Sequence, residues 1–570
     1  MAAEGASAGG PAPDERHAIG ISFGNSNSSI AVTMADDKVE VIANEDGDRQ
    51  IPSILSYVDG EEYNGQQARQ QLIRNSKNTV ACFRDFLGQD FKSIDPTHCH
   101  ASAHPQAHND TVAFTIKDKA GDEESTVTIS EIATRQFRRL KQSASHFTGK
   151  DVNSAVITIP TNFSEKQNEA LTKAAKDAGI ETLQLIREPV AALLAYDARP
   201  ETKVSDKNVV VADLGGTRSD VAVIASRGGM YTILATAHDY EFAGVHLDKV
   251  LQDHFAKEFI KWNSIDPREN ARSLAKLKLE SEATKKALSI GTNANFSVES
   301  LAEGIDFTST INRLRYETIA RKVLDGFNRL VEGVVKKAGL DVLDIDEVIL
   351  SGGTSHTPKI ASNFGSIFPE TTKIFAPSTS ATAINPSELQ VRGAALQASL
   401  IQEYESEDIE QSTHPAVTTV KHLTNAIGVL AISDDSHKGI FTPIVSAETA
   451  VPARRSIHIP VPKEGGDVLI KIVEGGSHIK VTKPESAPTT NGKKESDDSE
   501  DSDEDSDEEP EEQREKVWKV GNVLAEAAVK GTKKGGQVEV MINVAVDLAV
   551  TVTAREVGEK GGVRGNLSAP

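Results

Sequence analysis

A glycine turn between two apolar runs, ISFGNSNSSIAV at residues 21–32, is the first stretch whose residue types suit chemistry. Gly24 lets a ligand approach the backbone closely, and Asn25, Ser26 and Asn27 add amide and hydroxyl groups that can bind oxyanions. The pattern predicts a hairpin that binds phosphate. Because the stretch has neither a carboxylate for a metal ion nor a lysine for phosphate oxygens, the chemistry of a phosphate-transfer site is incomplete here.

A second copy of this hairpin follows 191 residues later. SFGNSNSSIAV (22–32) aligns without a gap to DLGGTRSDVAV (213–223). The aligned pairs are Ser22 with Asp213, Gly24 with Gly215, Ser26 with Thr217, and Ser29 with Asp220. Two copies at a domain-length spacing predict a duplicated fold whose hairpins face each other across a cleft and grip a polyphosphate.

The elements that must position these hairpins alternate between strands and helices up to about residue 405, which indicates an α/β region. NSAVITIPTNF predicts a buried strand, and SEKQNEALTKAAKDAG predicts a helix that is capped by Ser164 and ended by Gly179. DEVILSGGTSHTPKIASNF predicts a strand, a Gly-Gly turn and a helix that starts at the turn. After the polar stretch 405–415, short β-rich runs predict an antiparallel sandwich.

The net charge of −22 is concentrated in one tract, because residues 495–512 carry 13 acidic side chains and the rest of the chain carries −9. A solvated, disordered loop explains this tract, and a docking surface for a basic partner is the alternative. Ser502 and Ser506 each have an acidic residue three positions later, which suits acidophilic phosphorylation. Only two cysteines, Cys82 and Cys99, and the lack of a signal-like or membrane-spanning stretch predict a cytoplasmic protein without membrane contact.

A histidine-rich stretch, HCHASAHPQAH, brings together potential metal ligands. They are His98, Cys99, His100, His104 and His108. Their spacing does not follow a zinc pattern, and the surrounding proline and alanine residues predict a loop without a metal.

The paired hairpins, IREPVAALLAY (186–196), SGGTSHTPKI (351–360) and INPSELQVRGAALQAS (384–399) together resemble the Hsp70 chaperone family, within the actin–hexokinase superfamily. The resemblance runs from about residue 18 to 556. It implies an α/β, actin/Hsp70-like duplicated nucleotide-binding domain followed by an antiparallel β-sandwich, with no helical lid. The altered site positions and the missing lid are typical of the ribosome-associated Hsp70-like subunits that pair with the J-protein zuotin.

This resemblance divides the chain into segments, which are a disordered N-terminus 1–17, a nucleotide-binding domain 18–404, a linker 405–422, a truncated peptide-binding-type sandwich 423–556 with an acidic loop 485–514, and a tail 557–570. The implied phosphate-binding residues are Gly24, Asn25, Ser26, Asn27, Glu188, Asp213, Gly215, Gly216, Thr217, Arg218, Asp220 and Gly244. The implied adenosine-binding residues are Glu282, Lys285, Ser289, Gly352, Gly353, Thr354 and His356.

The resemblance also implies that the reaction machinery is degenerate. Ser22 stands where the family has an aspartate that organises Mg²⁺, and Arg69 is aligned with a lysine needed for cleavage. Thr217 replaces a glycine, and Arg218 replaces a threonine near the γ-phosphate. His356 replaces an arginine that stacks on adenine, and Ser387 replaces an aspartate.

Arg218 is open to two interpretations: a catalytic arginine finger, or a fixed charge that replaces Mg²⁺ in the ground state. The second is favoured because the metal side of the site is damaged. The sequence therefore predicts a co-chaperone that binds ATP with little or no hydrolysis, with Mg²⁺ dispensable. The predicted partners are a zuotin-like J-protein in a heterodimer, the ribosome through that partner, and nascent polypeptide. The alternatives are an active Hsp70 ATPase and foldase, and a sugar or small-molecule kinase of the same superfamily.

Overall fold

The computed structural model describes residues 15–94, 102–121, 123–199, 202, 207–227, 230–380, 382–405, 408–409, 417–418, 421, 423–433, 436–445, 449, 451–461, 465–482, 513–559 and 561–567. The chain divides into two compact units, 1–419 and 420–570. Most of the predicted N-terminal segment, linker and acidic loop lies outside the described residues, as do Ser502, Ser506, His98, Cys99 and His100.

The first half of the first unit contains twelve described strands and four described α-helices. The strands are β1 (Ala18–Phe23), β2 (Asn27–Thr33), β3 (Val39–Ile42), β4 (Ile51–Pro52), β5 (Ile54–Val58), β6 (Glu61–Asn64), β7 (Thr79–Ala81), β8 (Pro105–His108), β9 (Thr111–Ile116), β10 (Ser125–Thr128), β11 (Ser154–Ile159) and β12 (Glu181–Arg187). The helices are α1 (Gly65–Gln71), α2 (Ile129–Thr148), α3 (Glu165–Asp177) and α4 (Glu188–Asp197).

The second half repeats this scheme. Its strands are β13 (Lys207–Leu214), β14 (Ser219–Arg227), β15 (Met230–Asp239), β16 (Asn293–Ala302), β17 (Ile305–Asn312), β18 (Glu347–Ser351) and β19 (Lys373–Phe375). Its helices are α5 (Gly244–Asn263), α6 (Ala271–Ile290), α7 (Arg313–Ile319), α8 (Arg321–Lys337) and α9 (Pro358–Ile367). The unit closes with α10 (Leu389–Ile401) and a short strand, β20 (Val417–Thr418), which pairs in parallel with β15.

The two central sheets have the same topology. The first has the order β12-β11-β1-β2-β3, with β4 on β2, and the second has the order β19-β18-β13-β14-β15-β20. In each, one antiparallel hairpin lies beside a parallel strand contributed from later in the chain. Ser22 lies opposite Ser29 in the first hairpin, and Asp213 lies opposite Asp220 in the second. The duplicated α/β architecture predicted from the sequence is confirmed.

Local signals in the sequence explain where α3 begins and ends. The Ser164 side chain accepts a hydrogen bond from the Gln167 amide, and the Gln167 side chain accepts one from the Ser164 amide, which completes a capping box. Gly179 follows the helix with φ +81°, a left-handed conformation that glycine adopts without strain. The predicted helix boundaries are therefore correct.

Helix α10 follows the second half in the chain but packs on the first half, against α4 and β1. The close approach depends on small residues: a Cβ at Gly393 would overlap the backbone of Ala191, and a Cβ at Gly20 would overlap the backbone of Ala395. Since α10 starts beside the two hairpins, its position fixes the side chains that it presents to them.

The second unit contains two four-stranded antiparallel sheets. Its strands are β21 (Ala426–Ser433), β22 (Ser436–Val445), β23 (Ala453–Pro460), β24 (Gly466–Thr482), β25 (Gln513–Thr532), β26 (Gln537–Val544), β27 (Val550–Glu556) and β28 (Val563–Leu567). The orders are β22-β21-β24-β25 and β23-β26-β27-β28, with a shared apolar core that includes Ile472 and Val540. The predicted antiparallel sandwich is confirmed, and β28 is a strand in the segment predicted as a tail.

Among the helices that the structure describes, none has the length and the apolar character that a membrane span requires.

Candidate functional site

The turns of the two hairpins meet across one cleft. Asn25 Nδ2 donates a hydrogen bond to Thr217 Oγ1 at 2.9 Å, and a Cβ at Gly216 would collide with the Ser26 side chain. The cleft is lined by fourteen of the residues predicted from the sequence, which are Ser22, Gly24, Asn25, Ser26, Asn27, Glu188, Asp213, Gly215, Gly216, Thr217, Arg218, Asp220, Gly352 and Gly353. The structure therefore brings both predicted hairpins and the Gly-Gly turn to a single site.

Three buried carboxylates form the acidic side of the cleft. Oxygen atoms of Glu188, Asp213 and Asp220 lie within 4.8 Å of one another, and within the described residues this is the one such group able to share a metal ion. Burial raises the pKa of Glu188 to about 8, with Arg84 opposing the rise and the two aspartates adding to it. Burial and the charge of Asp220 raise the pKa of Asp213 to about 6. The positive charge around the three carboxylates is therefore too small to keep the pKa values of Glu188 and Asp213 at their usual level.

Two buried arginines supply part of that charge. Arg84 Nη1 donates to Glu188 Oε1 at 3.0 Å, and its Nε donates to Asp85 Oδ1 at 2.7 Å. Arg218 binds both carboxylate oxygens of Asp220. Of the three carboxylates, only Asp213 has no guanidinium partner described at hydrogen-bond distance.

All three guanidinium nitrogens of Arg218 donate hydrogen bonds, which hold the group in place. Nη1 donates to Tyr240 Oη at 2.9 Å and Nη2 donates to Asn162 Oδ1 at 2.9 Å, while Tyr240 Oη donates to Asp85 Oδ2 at 3.0 Å. Arg218 is only 4% exposed. The sequence predicted a guanidinium near the γ-phosphate, and in the structure Arg218 lines the cleft and pairs with Asp220. Arg218 therefore changes the charge of the cleft by neutralising the Asp220 carboxylate.

Arg69, which the resemblance matches to a lysine needed for cleavage, contacts the second half of the unit. It belongs to α1 and forms an ion pair with Glu282 of α6, outside the lining of the cleft. Because α1 begins after β6 and faces the second half of the unit, its side chain reaches α6 and not the hairpin turns. Arg84 and Arg218 are the arginines that line the cleft in the described part of the chain. That Arg69 occupies a reaction position stays a prediction.

Gln390, the second residue of α10, joins the two hairpins through its side-chain amide. Ser22 Oγ donates to Gln390 Oε1 at 3.1 Å, and Gln390 Nε2 donates to Asp213 Oδ2 at 2.6 Å. Ser22 and Asp213 are the equivalent positions of the two repeats, so one amide connects the duplicated sites. The sequence reasoning missed this residue, although a glutamine inside the apolar run of INPSELQVRGAALQAS was a visible signal.

The residues predicted to bind adenosine form a chain of contacts behind the second hairpin. Lys285 Nζ donates to the Gly244 carbonyl at 3.0 Å and pairs with Asp248 at 2.7 Å. The Gly244 amide and Thr354 Oγ1 both donate to the Gly215 carbonyl, at 3.0 and 2.9 Å. These contacts fix the base of the second turn.

The remaining predicted residues flank this chain. Ser289 lies one turn after Lys285, to whose carbonyl it donates. Burial opposes the ionisation of Glu282, but the charges of Arg69, Lys286 and Lys285 lower its pKa to about 2. His356 Nε2 lies 3.1 Å from Ser387 Oγ, and Ser387 lines the cleft.

The cleft fits a phosphate chain and a cation by the chemistry of its donors. Asn25 Oδ1 is buried without a hydrogen-bond partner, which leaves unused polar capacity at the meeting point of the turns. Glycine turns, hydroxyl groups and two guanidiniums suit phosphate oxygens, and the carboxylates suit a hard divalent cation. Arg84, Asp85, Asn162 and Tyr240 belong to this site but were missed, because no local pattern distinguishes them from ordinary buried or loop residues.

Comparisons with known proteins agree with this architecture. The family model described as Hsp70 protein matches residues 18–485. The chain is 45% identical over 549 residues to the ribosome-associated complex subunit SSZ1 of Saccharomyces cerevisiae, an alignment that covers 96% of this chain and 99% of that protein. It is 47% identical over 488 residues to a heat shock protein 70 homolog of Schizosaccharomyces pombe, covering 85% and 84% of the two chains. Human heat shock 70 kDa protein 14 is 32% identical over 461 residues, covering 80% and 87%.

Proposed function

This chain belongs to the Hsp70 family, and on that premise we propose that its first unit binds ATP in the cleft between the two hairpins and hydrolyses it slowly or not at all. Phosphate oxygens are held by the turns at Gly24–Asn27 and Gly215–Arg218, and the adenosine lies toward Glu282, Lys285 and Ser289. The observation that carries the proposal is the Ser22–Gln390–Asp213 chain, which places neutral donors where phosphate cleavage calls for a metal-organising carboxylate.

Slow hydrolysis follows from what phosphoryl transfer demands. Cleavage needs a cation that contacts both β- and γ-phosphate oxygens, a positioned water, and donors that act mainly in the transition state. Ser22 offers a hydroxyl in place of a carboxylate, and Arg218 is already engaged by Asp220. Loss of one placed donor costs about 10²–10³ in rate, although such losses are not additive.

Mg²⁺ is proposed to be dispensable for binding. When bound, the cation would be held at Glu188, Asp213 and Asp220 and would supply charge to the phosphates. Arg84 and Arg218 already neutralise two of these three carboxylates, which lowers the repulsion that a polyphosphate meets in the cleft.

The first test is a single-turnover measurement on the full chain. Purified protein is loaded with γ-labelled ATP, free nucleotide is removed, and the identity of the bound nucleotide is followed with and without an added J-domain. We expect intact ATP for hours in both conditions. Conversion to ADP on that timescale would favour the alternative, an active Hsp70 ATPase and foldase, which the retained Glu188, Asp213 and Asp220 support.

We further propose that the chain works as a scaffold with a zuotin-like J-protein in the ribosome-associated folding of nascent chains in the cytoplasm. The support is the 45% identity, over nearly the whole of both chains, to a protein named as a subunit of a ribosome-associated complex. The ribosome is contacted through the J-protein partner, and nascent polypeptide is a further ligand.

The second unit is the proposed partner site. In its described part, β22 and β25 are the terminal strands of one sheet, and β23 and β28 are those of the other. Terminal strands are where an extended segment of another protein adds by main-chain hydrogen bonding. Crosslinking with mass spectrometry on the purified heterodimer is expected to place a partner segment on these strands. Crosslinks confined to residues 1–419 would contradict the proposal.

The small-molecule kinase alternative accounts for less of the chain. The Hsp70 family model continues to residue 485, well into the second unit. A small-molecule kinase activity would leave the β-sandwich of this unit without an explanation. The absence of phosphate transfer from loaded ATP to a panel of sugars would count against the kinase alternative.

A further inference from the structure

The side-chain amide of Gln390 has a polarity that matches the two groups it joins. Its carbonyl oxygen accepts from the Ser22 hydroxyl, and its NH₂ group donates to the Asp213 carboxylate. The donors and acceptors therefore run in one direction from the first hairpin to the second. At the first hairpin the Ser22 hydroxyl supplies the donor for the amide oxygen, and at the second the Asp213 carboxylate supplies the acceptor for the NH₂ group.

The same amide could not join two carboxylates. If both equivalent positions carried aspartate, the carbonyl oxygen of Gln390 would face a carboxylate oxygen at the first hairpin, and two acceptors would repel each other. A pair of carboxylates facing each other in a buried cleft needs a cation or a shared proton between them. A hydroxyl, an amide and a carboxylate in series need neither. The Ser22 hydroxyl and the Gln390 amide are thus complementary as hydrogen-bond donor and acceptor.

The position of Gln390 leaves the amide little freedom. It lies in the first turn of α10, which packs on β1 and α4 through the close approaches at Gly20 and Gly393. Gln390 also lines the cleft itself. A nucleotide in the cleft would therefore meet this amide in a preset orientation, at the point where the two repeats are joined.

Resting on the proposed ATP binding, we propose that Gln390 is the positioning residue that sets the divalent-cation requirement of the nucleotide site. Its amide satisfies Asp213 and connects the hairpins in the place where opposed carboxylates would call for a metal ion. The site consequently accepts ATP without Mg²⁺, and its ability to bind the metal-free nucleotide depends on this one side chain.

The experiment measures the affinity of the full chain for ATP by calorimetry, once in EDTA and once in excess Mg²⁺. The variants are Gln390→Glu, which keeps the shape and adds a charge beside Asp213, and Gln390→Ala. The matched control is Gln397→Ala, which removes a buried glutamine two turns further along α10 that donates to Gln184 away from the cleft.

For the wild type and Gln397→Ala we expect affinities in the two buffers that agree within about threefold. Gln390→Glu is expected to lose about tenfold or more in EDTA, because a hydrogen bond to a charged group is replaced by charge repulsion, and to recover most of that loss in Mg²⁺. Gln390→Ala should lose about three- to tenfold in EDTA with the same recovery. Thermal unfolding of each nucleotide-free variant checks folding. If Gln390→Glu does not fold, the affinities of Gln390→Ala in the two buffers test the proposal.

Three outcomes overturn the inference. A loss at Gln390 that is equal in both buffers would assign the residue a structural role alone. A wild type that binds ATP only with Mg²⁺ would refute the role of Gln390 and leave ATP binding intact. A wild type that binds ATP in neither buffer would refute the proposed function as well.

Discussion

Asn25 and Thr217, which occupy the turns of the two repeated hairpins, are joined by a buried hydrogen bond from Asn25 Nδ2 to Thr217 Oγ1 at 2.9 Å. The two residues are 192 positions apart in the chain and belong to different halves of the first unit. The turns therefore contact each other directly through the protein's own side chains, and the position of one hairpin constrains the other.

This contact should be measurable as a coupling between the two halves. In a double-mutant cycle of Asn25→Ala and Thr217→Ala, we expect a coupling of about 1 kcal/mol in the free energy of unfolding, as for a typical buried hydrogen bond. Urea unfolding of nucleotide-free protein in a Trp518→Phe background gives the value, because Trp262 then reports on the first unit alone. Strict additivity of the two substitutions would show that the contact contributes nothing.

Arg218 should act as the partner of Asp220 before any nucleotide arrives. Arg218→Ala leaves the buried Asp220 and Asp85 with less compensation, so we expect a loss of about 3–5 kcal/mol in the free energy of unfolding of the nucleotide-free protein. Asp220→Asn in that background should return part of the loss, because it removes one uncompensated charge. Unchanged stability together with weakened ATP binding would instead assign Arg218 to the nucleotide.

The Arg69–Glu282 ion pair links α1 to α6 across the two halves and is only partly buried. Arg69→Ala is expected to speed the release of a fluorescent ATP analogue by about two- to fivefold, since a partly exposed pair is worth about 1 kcal/mol or less. The effect should shrink at high salt, which screens such pairs. Lys286→Ala is the control, because Lys286 contacts Glu282 from within the same helix, and equal acceleration by both variants would argue against a link between halves.

Asp213 should make the nucleotide-free protein less stable as the pH rises. Its pKa is raised from 3.8 to about 6 in the folded chain, chiefly by burial, so folding favours its protonated form. That contribution is fully present below about pH 4 and is lost as the pH rises through 6. The isosteric Asp213→Asn variant lacks it, so its stability relative to wild type should increase by about 2 kcal/mol between pH 4 and pH 7. Urea unfolding at several pH values measures the difference, and a pH-independent difference would mean that the folded-state pKa of Asp213 is not raised.

Gly393 and Gly333 offer a matched pair for testing the position of α10. A Cβ at Gly393 would overlap the Ala191 carbonyl, whereas nothing lies within 4 Å of one at Gly333, which is exposed on α8. We expect Gly393→Ala to destabilise the protein by about 1–3 kcal/mol through overpacking, and to weaken ATP binding because α10 carries Gln390. Gly333→Ala should stabilise by about 0.5–1 kcal/mol through helix propensity alone. Similar stabilities for both variants would mean that α10 can move without cost.

Much of the architecture was encoded in local patterns. The equivalence of the hairpins followed from an ungapped match, and the sheet registers reproduce it, with Ser22 opposite Ser29 and Asp213 opposite Asp220. The capping box at Ser164 and the glycine at 179 marked the ends of α3 because caps are decided within a few residues. The antiparallel sandwich followed from short apolar runs, with β28 the strand that the pattern did not mark.

The tertiary structure decided which side chains meet in the cleft. Gln390 reaches Ser22 and Asp213 over separations of 368 and 177 residues, and no local pattern specifies such a contact. The same holds for Arg84, which lines the cleft and binds Glu188, 104 residues away in the chain. The sequence by itself determined the two matching glycine turns and the pairing of a hydroxyl at Ser22 with a carboxylate at the equivalent Asp213. Only the folded chain decided that Gln390 joins these two side chains, because hydrogen bonds and ion pairs depend on positions fixed to within a few tenths of an ångström.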